Sequence, residues 1–170
     1  MLIDDDVSRV KDLAEKVLRN SSCSKPPVNV NLIGLFDPGK PVIVHPVPLN
    51  GHRGKLLDQG DEWHILVNRN DPQVSQRFTI LHEGFHVLRR VRNVALASTG
   101  SDLEILADLF AACVLMPEEW VRDRWPKVKE LWRLASIFQV SQSAMKVRLQ
   151  ELGLSDNATR GLSLELKAQD

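Results

Sequence analysis

The sequence contains no tyrosine, so no phenolic hydroxyl is available to any site chemistry. It also has only two cysteines, Cys23 and Cys113, far apart in the chain. Cys113 stands in an apolar run, where a reduced, buried thiol is the ordinary expectation, and a disulfide framework is not expected. Net charge is missing too, because 22 Lys and Arg balance 22 Asp and Glu. No global field therefore draws the chain toward nucleic acid, a membrane or an acidic partner, and such a partner would have to be met by local charge. No apolar stretch approaches the length needed to span a bilayer. Asp4, Asp5 and Asp6 open the chain with the charge opposite to that of a secretory signal. A soluble cytoplasmic protein is expected. Internal repeats and low-complexity segments are absent as well.

What is present suits one compact domain: 170 residues, 43% of them hydrophobic. Val7, Val10, Leu13, Ala14, Val17 and Leu18 recur at helical spacing, predicting a first helix over residues 4–20 whose aspartates favour the helix dipole. From there to Asn70 the chain is rich in Val, Ile, Pro, Gly and Asn, and short strands separated by turns fit. Strands are expected at 42–47, 54–58 and 62–68, the last two joined by a turn at Gln59-Gly60-Asp61. They predict a small, largely antiparallel sheet. Pro41, Pro46 and Pro48 assign the first strand to an edge.

Helical spacing returns at residues 73–92, with Asp71-Pro72 as cap and first-turn proline, and again at 102–115. Pro117 is expected to open a further helix, Pro126 the next, over 127–139, and Ser141 to cap a last one running toward Gly153. The expected organisation is a core over residues 1–117, a C-terminal helical region over 118–154 and a tail over 155–170.

The helix at 73–92 carries His82-Glu83-Gly84-Phe85-His86. A separation of four residues, about 400° of helical rotation, puts both imidazoles on one face roughly one turn apart, where they can hold one metal ion. Glu83 stands beside them as a candidate general base for a metal-activated water. A catalytic zinc site needs a third protein ligand, and Arg89 and Arg92 occupy the positions where a longer version of the motif would supply one. Glu104 on the next helix is the leading candidate. Asp108 follows four residues on, on the same face; the thermolysin-like metallopeptidases, which an HExxH followed by ExxxD resembles, use such an aspartate to hold a ligand histidine by its second ring nitrogen. Two other readings compete: Ser101-Asp102-Leu103-Glu104 is also a capping box, and Asp108 could pair with Arg77 or Arg89.

Three blocks resemble a narrower group, the ImmA/IrrE family of zinc-dependent peptidases. Asn68-Arg69-Asn70 leading into Gln76-Arg77-Phe78-Thr79-Ile80-Leu81-His82-Glu83 is similar to the family's QRFTLAHE segment. Residues from Glu104 to Ala112, then Leu115-Met116-Pro117, are similar to its ExxAxxFAAxLLMP block. Residues from Leu134 to Leu154 are similar to the region that follows the protease core in many members. In one departure, the family's usual HExGH is here HEGFH, with glycine one position early.

The resemblance implies an α+β, zincin-like fold in which the sheet packs on an active-site helix pair, followed by helix-turn-helix-like C-terminal helices. It assigns Zn2+ to His82, His86 and Glu104 and the base to Glu83, with Asp108 behind a histidine. It further implies hydrolysis of a protein substrate, most naturally a helix-turn-helix repressor whose cleavage derepresses genes of a phage, a mobile element or a stress response. Manganese is the alternative metal, although two histidines and a carboxylate favour zinc. A strand edge at 62–68 could hold the substrate, and His45, His52 or His64 could donate to the oxyanion.

The competing class is a regulatory module with a silent zinc site that binds DNA or a repressor. Seven basic residues against two acidic ones lie between Arg122 and Arg148, and the helices over 127–152 could form a helix-turn-helix. Lys146 and Arg148 are the only cations that its second helix would offer.

Overall fold

The computed structural model describes residues 3–154; the tail expected over 155–170 lies outside them. Its first helix, α1 (Asp4–Asn20), buries Val10, Leu13, Ala14 and Val17 and packs along α3 (Ser101–Leu115). Asp6 does more than favour the dipole. It is buried, and its carboxylate accepts from the Ala97 and Ser98 backbone N–H groups and from Ser98 Oγ, at 3.2, 2.8 and 2.6 Å. α1 is thereby tied to the link between α2 (Gln73–Val91) and α3.

Where short strands were expected after the Pro26-Pro27 connector, Val30–Leu35 forms a 3-10 helix, capped by Asn29, whose side chain accepts from Asn31 N. It sends Leu32, Ile33 and Phe36 into the core. Asn29 explains the difference: its side chain competes for local backbone donors and starts a tight turn where the Val and Ile content alone suggests a strand.

The strands are β1 (Val42–Val47), β2 (Gly54–Asp58) and β3 (Trp63–Asn68), in the order β1-β3-β2. β2 and β3 form the expected hairpin, with Gly60 at φ 79° in its turn. β1, however, runs parallel to β3, so the sheet is mixed rather than largely antiparallel. The strand at 62–68 is also not an edge. Trp63, Ile65 and Val67 alternate as its buried face, and this most consistently apolar strand takes the centre. β1, which runs unbroken through Pro46, takes one edge as expected, and β2, carrying Gly54, Lys55 and Asp58, takes the other.

α2 packs on β3 and β2 and, on its other side, on α3. Pro72 is its N-cap rather than a first-turn residue, and the Asp71 carboxylate accepts from Asn68 Nδ2 instead of capping the helix. α4 (Glu118–Val128) follows Pro117 as expected but runs through Pro126, anchored by buried Val121 and Trp125. The break comes at Lys129, at φ 55°, and Glu130, so that α5 (Leu131–Phe138) starts later than Pro126 suggested. Ser141 Oγ accepts from Ala144 N at 3.1 Å and caps α6 (Gln142–Glu151), as its position predicted. No helix among the described residues is long and apolar enough to cross a membrane.

Candidate metal centre

On α2 the buried face is Ile80, Leu81, Gly84, Phe85, Val87 and Leu88, which turns His82 and His86 toward α3 at the rim of the core. Their ring centroids are 5.3 Å apart, one helical turn as the spacing requires. Glu104, in the first turn of α3, reaches both: Oε2 lies 3.1 Å from His82 Nε2 and Oε1 3.5 Å from His86 Nε2. One donor atom from each of the three residues falls within 4.8 Å of the others. Tetrahedral zinc with bonds of about 2.0–2.2 Å needs its donors roughly 3.4 Å apart, so the set fits the ion in type, and its more widely spaced donors would have to draw together to close on it.

The capping-box reading of Glu104 is not realised. α3 has Gly100 as its N-cap and no side-chain cap, and the carboxylate goes to the two imidazoles. Asp108, one turn along the same face, accepts from His82 Nδ1 at 2.8 Å. That contact leaves Nε2 as the nitrogen facing Glu104. Of the pairings weighed for Asp108, Arg77 instead donates to the Val28 and Gln139 carbonyls.

Burial and charge give the two histidines different basicities. Burial pushes His86 down to about 4, helped by His82, Arg89 and Arg90, so its ring is neutral with a lone pair to offer at neutral pH. For His82, burial also acts downward, but the Asp108 hydrogen bond and the charges of Asp108, Glu83 and Glu104 outweigh it and raise the pKa. Glu83 is raised above the usual carboxylate value, first by burial and then by Glu104, against the opposing pull of His82 and the Leu56 backbone N–H.

Sequence reading missed the wall behind Glu83. Gly54 of β2 sits so close to α2 that a Cβ there would stand 2.3 Å from Thr79 Cγ2 and 3.1 Å from Glu83 Oε1. A lone glycine in a strand is the signal that could have shown it. Asn68 N donates to Arg53 O and Gln59 N to Glu62 O, so the odd-numbered residues of β2 bond to β3. Gly54 and Leu56 therefore turn their backbone groups to the outer edge, which meets no strand among the described residues.

The early glycine of the motif has a physical reason here. A Cβ on Gly84 would meet Phe36 Cε2 at 2.6 Å and Ile33 Cγ2 at 3.4 Å, so the 3-10 helix packs directly on the α2 backbone. Phe85, wholly buried, stacks obliquely on Phe110 with centroids 5.4 Å apart. Of the three histidines considered as oxyanion donors, His45 and His64 bond to each other at 2.7 Å, on the face of β1 and β3 turned away from α2. They are not brought to the site. His52 is exposed in the connection leading into β2.

Residues 37–150, two thirds of the chain, match the peptidase M78 family, described as the IrrE N-terminal-like domain. Among curated proteins none matches significantly. A solved Mycobacterium tuberculosis transcriptional regulator is similar in fold, with a TM-score of 0.66 at 15% identity over 84% of this chain. The alignment covers 46% of that protein, so this chain spans about half its length.

Proposed function

The chain belongs to the peptidase M78 family of IrrE N-terminal-like domains, and on that premise we propose that it is a zinc-dependent endopeptidase acting in the cytoplasm on a regulatory protein. The observation that carries the proposal is the convergence of His82, His86 and Glu104 within 4.8 Å beside the half-buried Glu83. These three residues would hold zinc, which when bound supplies Lewis acidity for the scissile carbonyl and acidifies a water. Glu83 takes a proton from the attacking water and passes it to the leaving amine. Its raised pKa, nearer to neutrality than that of an exposed carboxylate, suits both halves of that transfer. Asp108 keeps His82 in the tautomer that presents Nε2.

The substrate runs as an added strand along β2, whose outward backbone groups lie next to Glu83, rather than along residues 62–68. By family likeness it is a helix-turn-helix repressor, and the solved neighbour, named a transcriptional regulator, favours a regulatory setting. Direct reading of DNA by α6 is disfavoured. Arg148 is 3% exposed and donates to Met116 O and Glu151, which removes it from a phosphate-binding surface.

The test is incubation of the purified, zinc-loaded protein with the repressor encoded beside its gene, with a Glu83→Gln control. Cleavage by the wild type alone is expected. Repressor binding without cleavage would replace the peptidase with a silent zinc regulator, and strongly salt-dependent retention on DNA would favour a DNA-binding module.

A further inference from the structure

α2, α3 and α6 enclose an open groove of about 750 Å³, within the size range of a ligand site. Val74 and Phe78 of α2 line it, and they precede His82 and His86 at steps of four on the same side of the helix. Ala112 and Met116 of α3 line it too, and they follow Glu104 and Asp108 in the same way. Because His86 meets Glu104 while His82 meets Asp108, the two helices run antiparallel and both stripes leave the metal centre on the same side. The groove is thus the seam between the donor-bearing helices, continued beyond the donors. Asp108 belongs to both.

Ile105 of α3 is 49% exposed and Val147 of α6 63%, and these open apolar side chains stand beside Met116 and Val140, which are buried. An exposed apolar concavity marks a place where a partner's apolar side chains are covered. The site that it adjoins says which partner. Arg53 and Thr79 line the groove, Gly54 lies against Thr79 and Glu83, and the Leu56 N–H reaches Glu83. β2 therefore runs from the groove toward the general base. A peptide added antiparallel to β2, the slightly more stable pairing, passes Glu83 first and then enters the groove with the residues that follow the scissile bond.

We propose that the groove sets the substrate preference by taking a large apolar side chain, such as Leu or Phe, from the residue that follows the scissile bond, with Ile105 and Val147 as the selecting walls. The position of the cut rests on the peptidase reading; capture of the apolar side chain does not.

The probes are short, blocked alanine peptides that carry a single Leu, Phe, Lys or Asp at the centre. Binding is read from the Ile105 and Val147 methyl resonances of the full-length, zinc-loaded Glu83→Gln protein, and incubation with the zinc-loaded wild type locates the cut. The Leu and Phe peptides are expected to bind about tenfold or more tighter than the Lys and Asp peptides and to shift both methyls. Their cut is expected on the amino side of the apolar residue. Val147→Asp should reverse the order in favour of the Lys peptide while zinc affinity is retained, a change that mere loosening of α6 does not produce. Equal affinities for the four peptides, binding that leaves Ile105 and Val147 unmoved, or a cut on the carboxyl side of the apolar residue overturns the proposal. Selective binding with the expected shifts but no cleavage by the wild type upholds the groove as an apolar side-chain site and overturns the peptidase reading instead.

Discussion

Gly84 and Phe36 touch backbone to ring edge, and a methyl group on Gly84 would stand 2.6 Å from Phe36 Cε2. Phe36 is 1% exposed and meets Phe110 edge-on at 6.1 Å, so its ring has nowhere to retreat. Gly84→Ala is expected to cost about 1–3 kcal/mol of stability, as overpacking of a filled core does. Phe36→Leu in the same background should recover part of that loss. Urea unfolding of the single and double variants measures both, and equal stability of Gly84→Ala and wild type would contradict the contact.

Zinc binding should separate Glu104 from Asp108. Asp108→Asn is expected to weaken zinc about 10- to 100-fold, the usual effect of losing the partner of a ligand histidine. Glu104→Gln should weaken it more, because the charged ligand itself is lost. Titration against a competing chelator gives both constants. Full zinc affinity in Glu104→Gln would remove Glu104 from the ligand set.

Glu83 and Gly54 should affect turnover without emptying the site. Glu83→Gln is expected to bind zinc normally and lose about 10²–10⁴ in cleavage rate, the range of a general base. Gly54→Ala pushes a methyl into Thr79 and toward Glu83 Oε1, and should lower the rate by a smaller factor with zinc retained. Zinc content and cleavage measured on the same preparations test the pair together.

Asp6 should make stability depend on acid. Its pKa is lowered first by the Ser98 hydroxyl and then by the Ser98 and Ala97 N–H groups and Arg9, against the opposing effect of burial. A lowered folded pKa stabilises at any pH above the ordinary value of 3.8 and is lost as pH falls below it toward the folded value. Asp6→Asn is therefore expected to lower Tm by a few degrees at pH 7. The gap from wild type should close below about pH 3.8. Thermal melts from pH 7 down to pH 2.5 read it, and a constant gap would refute the linkage.

The clustering of the candidate donors was legible because helical geometry is local: four residues make one turn, and His82, His86 and Glu104, with Asp108 against His82, needed only two adjoining helices to meet. The choice between capping box and ligand for Glu104 was not readable. It was decided by two imidazoles 22 and 18 positions away, which draw the carboxylate more strongly than one backbone N–H does. Sheet order was hidden for a similar reason. Which of three apolar strands sits centrally depends on what α2 covers, and the value of Gly54 appears only once Thr79 is opposite it. Pro126 misled because proline marks a helix start in sequence but is tolerated late in a short helix whose Val121 and Trp125 are already packed.

The span between His82 and Glu104 is 22 positions, whereas the bond from Asp6 to Ser98 closes 92. Each doubling of a loop adds about 0.6 kcal/mol of closure entropy, so the second contact costs roughly 1.2 kcal/mol more to close than the first. Assembly of the donor set is thus the quicker, more local event in folding. The donor cluster can therefore close while the N-terminal helix is still undocked, so loss of the Asp6 contact would loosen α1 before it disturbed His82, His86 and Glu104.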